Sequence, residues 1–273
     1  MQRSFEIREI TPADYESLKA LWLSCFDDEE QVVDNFFNKT VVDENVVAAF
    51  DGNMAVGALY IVDSELAVGD RTYSAFYIYA VCTHPLYRKL GIMRACMECM
   101  EAIAVERKID YVFLVPAEKA LFSMYEKFGF KTGFTYEEEI VCRKDTVIDN
   151  VELLSFRYSE YKMFKKMLAK DFPVVFLGER GYNSFICPVG ADITCLYDGK
   201  GYAVFEKEDG KVTVHECAGA TASLFRKIFE ISGARSITIR EPAKVDGIPF
   251  GMYRAFGDAP ELQNAFLGIP YGG

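Results

Sequence analysis

Histidine is nearly missing from this chain: His84 and His215 are the only two in 273 residues. A histidine-based metal centre, which converges several imidazoles or joins them to thiolates and carboxylates, is therefore not expected. Basic residues are outnumbered, 30 Lys and Arg against 41 Asp and Glu, for a net charge of −11. That balance disfavours nucleic acid, whose phosphates call for a basic surface, and favours the approach of a cationic small molecule. No apolar run nears the roughly 20 residues that cross a bilayer, so no membrane partner is expected. The opening residues Met1-Gln2-Arg3-Ser4-Phe5-Glu6 lack the apolar stretch of a signal peptide. Of the eight cysteines several fall in apolar patterns, which fits reduced thiols and a cytoplasmic location better than disulfides or zinc. Oligomeric state has no signature here.

What the chain has in quantity is apolar and aromatic material, with 51% hydrophobic residues including 22 Phe and 16 Tyr. At this length it builds one large domain or two of ordinary size. The stretch that says most is Ala80-Val81-Cys82-Thr83-His84-Pro85-Leu86-Tyr87-Arg88-Lys89-Leu90-Gly91-Ile92-Met93-Arg94. The apolar run at 76–81 predicts a strand. A basic, glycine-containing turn follows, and Ile92, Cys96, Cys99, Met100 and Ile103 then mark one face of a helix. A helix start offers unpaired N–H groups and a partial positive charge, a seat for phosphate. Arg88 and Lys89 add formal charge beside it, and Gly91 permits close backbone approach.

Around this stretch, residues 5–10 alternate as a short strand. Thr11-Pro12-Ala13-Asp14 opens a helix burying Leu18, Leu21 and Trp22, and the acids at 27–30 open a second. Residues 46–50 and 55–62 flank Asp51-Gly52-Asn53 as a hairpin. A buried strand at 110–115 stops at Pro116, a helix spans 117–128 up to Gly129, and a strand follows at 134–141. Residues 143–150 lack periodicity and form the join. Beyond it the pattern predicts a helix at 158–170, a hairpin of 202–206 with 212–216, a helix at 221–231, a strand at 236–240 and a possible strand at 251–256.

Arg88-x-x-Gly91-x-Met93, entered from Val81-x-Thr83-x-Pro85, resembles the acyl-CoA pyrophosphate loop of the GNAT acetyltransferase superfamily. The family's usual form is Gln/Arg-x-x-Gly-x-Gly/Ala, from which Met93 departs at the last position. The wider string Tyr87-Arg88-x-x-Gly91-Ile92-Met93-Arg94 resembles the Eis-like branch. Downstream, Tyr125-Glu126-Lys127-Phe128-Gly129-Phe130 resembles the family's Tyr-x-x-x-Gly-Phe/Tyr segment. The helical spacing of Leu121, Met124, Tyr125 and Phe128 turns Tyr125 inward, where core packing is the commoner role of a tyrosine. The resemblance implies instead that Tyr125 donates a proton to the departing CoA sulfur. It also implies that Arg88, Lys89, Leu90, Gly91, Ile92, Met93 and Arg94 hold the pyrophosphate of acetyl-CoA, with Val81, Cys82 and Thr83 beside the pantetheine.

The element order over 4–142 is the one the GNAT fold uses. The fold expected is α/β, an α+β mixed sheet with splayed central strands, in a domain at 1–145. A degenerate GNAT-like lobe at 151–273, without a copy of Arg-x-x-Gly, follows it. Eis-like proteins add a sterol-carrier-like domain for which this length leaves no room. The function implied is acetyl-CoA-dependent N-acetylation of a primary amine by direct transfer, with a cationic small molecule as acceptor. No general base stands out among Asp27, Asp28, Glu118, Glu137, Glu138 and Glu139, since helix starts and solvated strands favour acids anyway. His84 in a His-Pro pair reads as turn chemistry, and Trp22 and Phe26 as core. A covalent route through Cys82 lacks a base partner. Two alternatives stay open: an acyl-CoA-binding module without turnover, suggested by Met93 and the missing base, and a two-lobed aminoacyltransferase, disfavoured by the acidic balance.

Overall fold

Apolar runs covered on both faces become the long strands. The pair β3 (Met54–Val68) and β4 (Arg71–Thr83) is joined by a turn through Gly69-Asp70 and buries residues at successive positions, not alternate ones. In the computed structural model, which describes residues 4–143, 152–188 and 193–270, β1 (Glu6–Arg8) and β2 (Val46–Asp51) continue the sheet outward from β3. Between β1 and β2 lie α1 (Tyr15–Leu23) and α2 (Glu30–Lys39). The predicted N-terminal signal of α1 is used: Thr11 and Asp14 form a capping box around a 3-10 turn, and Arg8 clamps the Asp14 carboxylate at 2.7 and 3.0 Å. After β4 come α3 (Ile92–Glu106), β5 (Tyr111–Leu114), α4 (Lys119–Glu126) and β6 (Lys131–Cys142).

The second half supplies α5 (Tyr158–Leu168), β7 (Val174–Leu177) and α6 (Glu179–Gly181), which runs into a π turn at Tyr182–Ile186. It continues with β8 (Ile193–Tyr197), β9 (Tyr202–Glu208), β10 (Lys211–Ala218), α7 (Ala222–Ser232), β11 (Ser236–Pro242) and β12 (Ile248–Ala255). The hairpin, helix and strand expected there are present. The strands β7 and β8 were not signalled by the pattern.

Twelve strands form one mixed sheet in the order β1-β2-β3-β4-β5-β12-β6-β11-β10-β9-β8, with β7 added to β3. Among the described strands β4 pairs with β5 and β10 with β11 in parallel, each reached through a crossover helix. At the middle the halves exchange strands. β6 follows β5 in sequence but pairs with β11, while β12 follows β11 but lies between β5 and β6, antiparallel to both. A strand from the stretch expected to be a separate lobe at 151–273 thus completes the sheet of 1–145. The chain between these halves, 144–151, is outside the described residues, and with it most of the expected join.

Trp22, Phe36 and Phe37 from α1 and α2 cover one face of the first half, and Ile92, Cys96, Met100 and Tyr125 from α3 and α4 cover the other. Each such large side chain removed from water contributes about 1.5–3 kcal/mol. In the second half α7 covers β9 to β11. The C-terminal segment threads between the halves, hydrogen-bonding Gly133 on β6's side through Ala265 and both Pro173 and Val175 through Phe266. A fully buried ion pair, Lys165 Nζ to Glu216 Oε2 at 2.6 Å, fastens it further, because Lys165 also donates to the Leu267 carbonyl at 3.0 Å.

Candidate functional site

The opening lies where β4 and β5 part. Their parallel register runs from Ala75 opposite Tyr111 to Ile78 opposite Leu114 and stops there. β5 ends at Leu114 and Pro116, with no N–H to give, follows; β4 continues to Thr83. At that point β4 carries a bulge, Ala80 and Val81 together facing the single residue Leu59 on β3. Ala80 takes φ +47°, an uncommon value for a residue with a Cβ. The bulge turns residues 79–83 away from β5, giving the splayed central strands expected of the fold. Nothing in the sequence marks it, since alanine does not advertise a positive φ.

The turn after β4 is built by local hydrogen bonds. His84 Nδ1 accepts from the Leu86 N–H at 3.2 Å over the 3-10 turn Pro85–Tyr87, which confirms its role in turn chemistry. Tyr87 is buried and donates to Asp51 at 2.6 Å, so the turn is bolted to β2. Arg88, Lys89 and Leu90 are exposed, and Lys89 takes φ +68°. Gly91 is the N-cap of α3 at φ +85°; a Cβ there would meet open space, so the glycine answers a backbone demand and not crowding. Ile92 is buried and anchors the helix start, Met93 is half-buried, and Arg94 is exposed with its guanidinium over the Phe128 ring. The predicted cluster of cations around a helix N-terminus therefore exists. Within it the Arg88 guanidinium also donates to the Thr83 carbonyl at 3.4 Å.

Tyr125 sits on α4 in the same apolar cluster as Tyr87 and Ile92, on the face of the sheet that carries α3. It is buried, its ring edge-on to Phe130, and burial pushes its phenol up to about 12. Among the described residues its hydroxyl has no hydrogen-bond partner. On the opposite face Tyr79 meets Trp22 at 5.7 Å, Phe36 at 5.3 Å and Phe185 at 4.8 Å. Phe185 comes from the π turn of the second half, a contribution no motif announced.

The carboxylates divide. Trp22 Nε1 donates to Asp28 at 2.7 Å, holding that acid at the α1–α2 junction beside the aromatic wall. Asp27 and Glu118 are exposed, Glu118 as the N-cap of α4. Glu137, Glu138 and Glu139 stand on β6, separated from β4 by β5 and β12, and Glu138 pairs with Arg240. These three are not brought to the opening. Cys82 is buried under α1, where its thiol hydrogen-bonds Cys25. Among the described residues no group of His, Cys, Asp and Glu is placed to hold a metal ion, and no helix is long and apolar enough to cross a membrane.

A profile of the acetyltransferase (GNAT) domain matches residues 6–133. Those residues are a GNAT acetyltransferase domain. The match spans β1 to the start of β6 and includes both the cationic turn and Tyr125. Among curated proteins no sequence matches the chain. Solved structures share its fold over 92% of its length. One is a GCN5-related N-acetyltransferase from Kribbella flavida, with TM-score 0.69, 15% identity and 71% of that chain covered. Another, from Anabaena variabilis, has TM-score 0.68, 14% identity and 73% of its chain covered. Eis1 from Mycobacterium abscessus has TM-score 0.64, 12% identity and 73% covered. The likeness extends past the matched domain into the second half, so the fold of both halves together is shared with these structures.

Proposed function

We propose that the chain is an acetyl-CoA-dependent N-acetyltransferase that transfers acetyl directly to a primary amine, with a cationic small molecule as acceptor. The observation that carries this reading is the convergence of one opening, one helix N-terminus and one buried phenol. The strands part at Ile78 and Leu114, α3 begins with its N-cap glycine exposed, and Tyr125 stands on the same face. The residues present fit the donor. Unpaired N–H groups of the first turn of α3, with Arg88, Lys89 and Arg94 around them, match a diphosphate in charge and hydrogen-bonding type. Main chain at 81–83, freed from β5, is open to a pantetheine arm laid along it like a strand.

Coenzyme A supplies an activated thioester. The chain's own residues have three tasks: grip the diphosphate, hold the amine in line, and manage two protons. Tyr125, neutral at working pH and with no hydroxyl partner among the described residues, gives its proton to the leaving thiolate sulfur in this reading. Tyr79 is the partly exposed ring of a cluster whose Trp22, Phe36 and Phe185 are buried, and it suits the apolar body or the charge of an alkylammonium. Asp28, held by the Trp22 indole, is a carboxylate beside that cluster and attracts the cation before it is deprotonated.

The test is continuous thiol release from acetyl-CoA with a panel of polyamines, aminoglycosides and monoamines. Turnover with amines and none with neutral hydroxyl analogues is expected. Tight coenzyme A binding without transfer to any amine would favour the binding-module reading, which Met93 in place of glycine motivates.

A further inference from the structure

Two thiols meet behind the cationic turn. Cys25, half-buried at the end of α1, reaches the Thr83 carbonyl at 3.5 Å and the Ser24 hydroxyl at 3.6 Å, and hydrogen-bonds the Cys82 thiol. Cys82 is buried on β4, one residue before Thr83. In the same cluster the Tyr60 hydroxyl is buried without a hydrogen-bond partner among the described residues, within electrostatic reach of both sulfurs. A buried donor with nothing to bind is rare in a folded protein, and an anionic sulfur is the kind of acceptor it lacks.

We propose that Cys25 and Cys82 form a dithiol site for low-molecular-weight disulfides, with Cys25 as the attacking sulfur and Cys82 as the resolving one. The division of roles follows from position. Cys25 is the one reachable from solvent, and hydrogen bonds from Cys82 and Ser24, with Arg88 and His84 nearby, bring its thiol down to about 6. Cys82, buried and giving its hydrogen bond to Cys25, is pushed up and stays protonated until Cys25 has reacted. In the first step the Cys25 thiolate attacks one sulfur of R–S–S–R, forming Cys25–S–S–R and releasing RS⁻, which takes a proton. In the second, Cys82 loses its proton and attacks the Cys25 sulfur, forming the internal disulfide and releasing a second RS⁻. Two protein thiols are oxidised and one external disulfide is reduced to two thiols.

The product reaches the cationic turn. Oxidation removes the thiolate charge of Cys25 that lies near Arg88, releasing that guanidinium, the cation proposed for the diphosphate. The coenzyme A effect therefore rests on the proposed function, whereas the thiol chemistry does not.

The test treats the reduced full-length chain with oxidised glutathione and maps the cysteines by mass. The expected product joins the Cys25 and Cys82 peptides, with the mass of the chain lower by two hydrogens. Cys82→Ser should instead accumulate one glutathionyl group on Cys25, and Cys25→Ser should form no cross-link at Cys82. Cross-linked protein should bind coenzyme A at least fivefold more tightly than reduced protein. A stable glutathionyl adduct on wild-type Cys25, a link from either residue to another cysteine, or both thiols left free would overturn the site. Failure of the reduced chain to bind coenzyme A would count against the acetyltransferase reading alone, and an intact cross-link with unchanged affinity would remove the connection to Arg88.

Discussion

The side chain of Ile92 lies across Gly57, where an added Cβ would come within 2.2 Å of Ile92 Cγ2. The start of α3 is therefore set by a missing side chain on β3, and with it the height of the N–H groups of the first helical turn. The obstructing atom is a branch at Cβ and cannot swing aside without moving the helix. Gly57→Ala is expected to weaken coenzyme A binding about tenfold while costing about 1–3 kcal/mol of stability by overpacking. Ile92→Leu has no second γ-carbon. The double variant should recover part of both losses, a coupling read from a four-member cycle of titration and denaturant midpoints.

Tyr125→Phe should lower kcat by about 10²-fold or more, the usual scale of a lost general acid, with coenzyme A affinity unchanged. Burial holds the Tyr125 phenol at about 12, above its ordinary value near 10, so the hydroxyl keeps its proton across the working range. The rate should therefore rise with pH as the acceptor amine deprotonates and show no falling limb from Tyr125 below about pH 10. Stability carries the same sign: the neutral buried phenol favours the fold fully below about pH 10, and that contribution is lost as the pH climbs toward the native value. Equal kcat for the two proteins under conditions where chemistry limits turnover would remove Tyr125 from the mechanism.

His215 gives a second pH signature, at the acid end. Arg240 Nη1 lies 3.1 Å from its Nδ1 and Glu206 Oε2 lies 3.0 Å from its Nε2. A guanidinium only donates, so Nδ1 accepts, Nε2–H donates to Glu206, and the ring is neutral. Burial lowers its affinity for a further proton below the ordinary value, and Arg240 adds to that while Glu206 and Glu138 oppose it. Because the native value lies below the unfolded one, the contribution is fully present above about pH 6.5 and is lost as the pH falls through the native value. Thermal midpoints should drop between pH 7 and 5 more steeply for the wild type than for His215→Gln. A His215 ring titrating at or above its ordinary value by NMR would contradict this geometry.

Most of the site was legible in the sequence because its parts are local. A strand, a turn with Arg88 and Gly91, and an amphipathic helix are set by periodicity and by residues a few positions apart, as is the placement of Tyr125 on an inward helical face. What was not legible depends on distant residues meeting. The Ala80 bulge is imposed by the pairing with Leu59, the clearance over Gly57 by Ile92, and the aromatic wall is closed by Phe185 from the second half. The acids of β6 were plausible on charge alone. Only strand order shows that β12 and β5 stand between them and the opening. Strands β7 and β8 are not legible because short apolar runs of four or five residues carry no period of their own.

That strand exchange also governs how the chain unfolds. β12 brings Met252 and Tyr253, both buried, between β5 and β6, so the sheet of the GNAT domain is complete only when the second half is present. Met252→Ala should cost about 2–5 kcal/mol, the range for a truncated core side chain. The loss should appear at full size in the fluorescence of Trp22, the chain's single tryptophan, which sits on α1 in the first half. Separate peptides covering 1–147 and 148–273 should each lack a cooperative thermal transition, the first because β5 and β6 lose their shared partner. Mixing them should restore one transition and a complex of the full chain's hydrodynamic size. Cooperative unfolding of 1–147 alone, with the same midpoint as the intact protein, would show that β12 is dispensable to that domain.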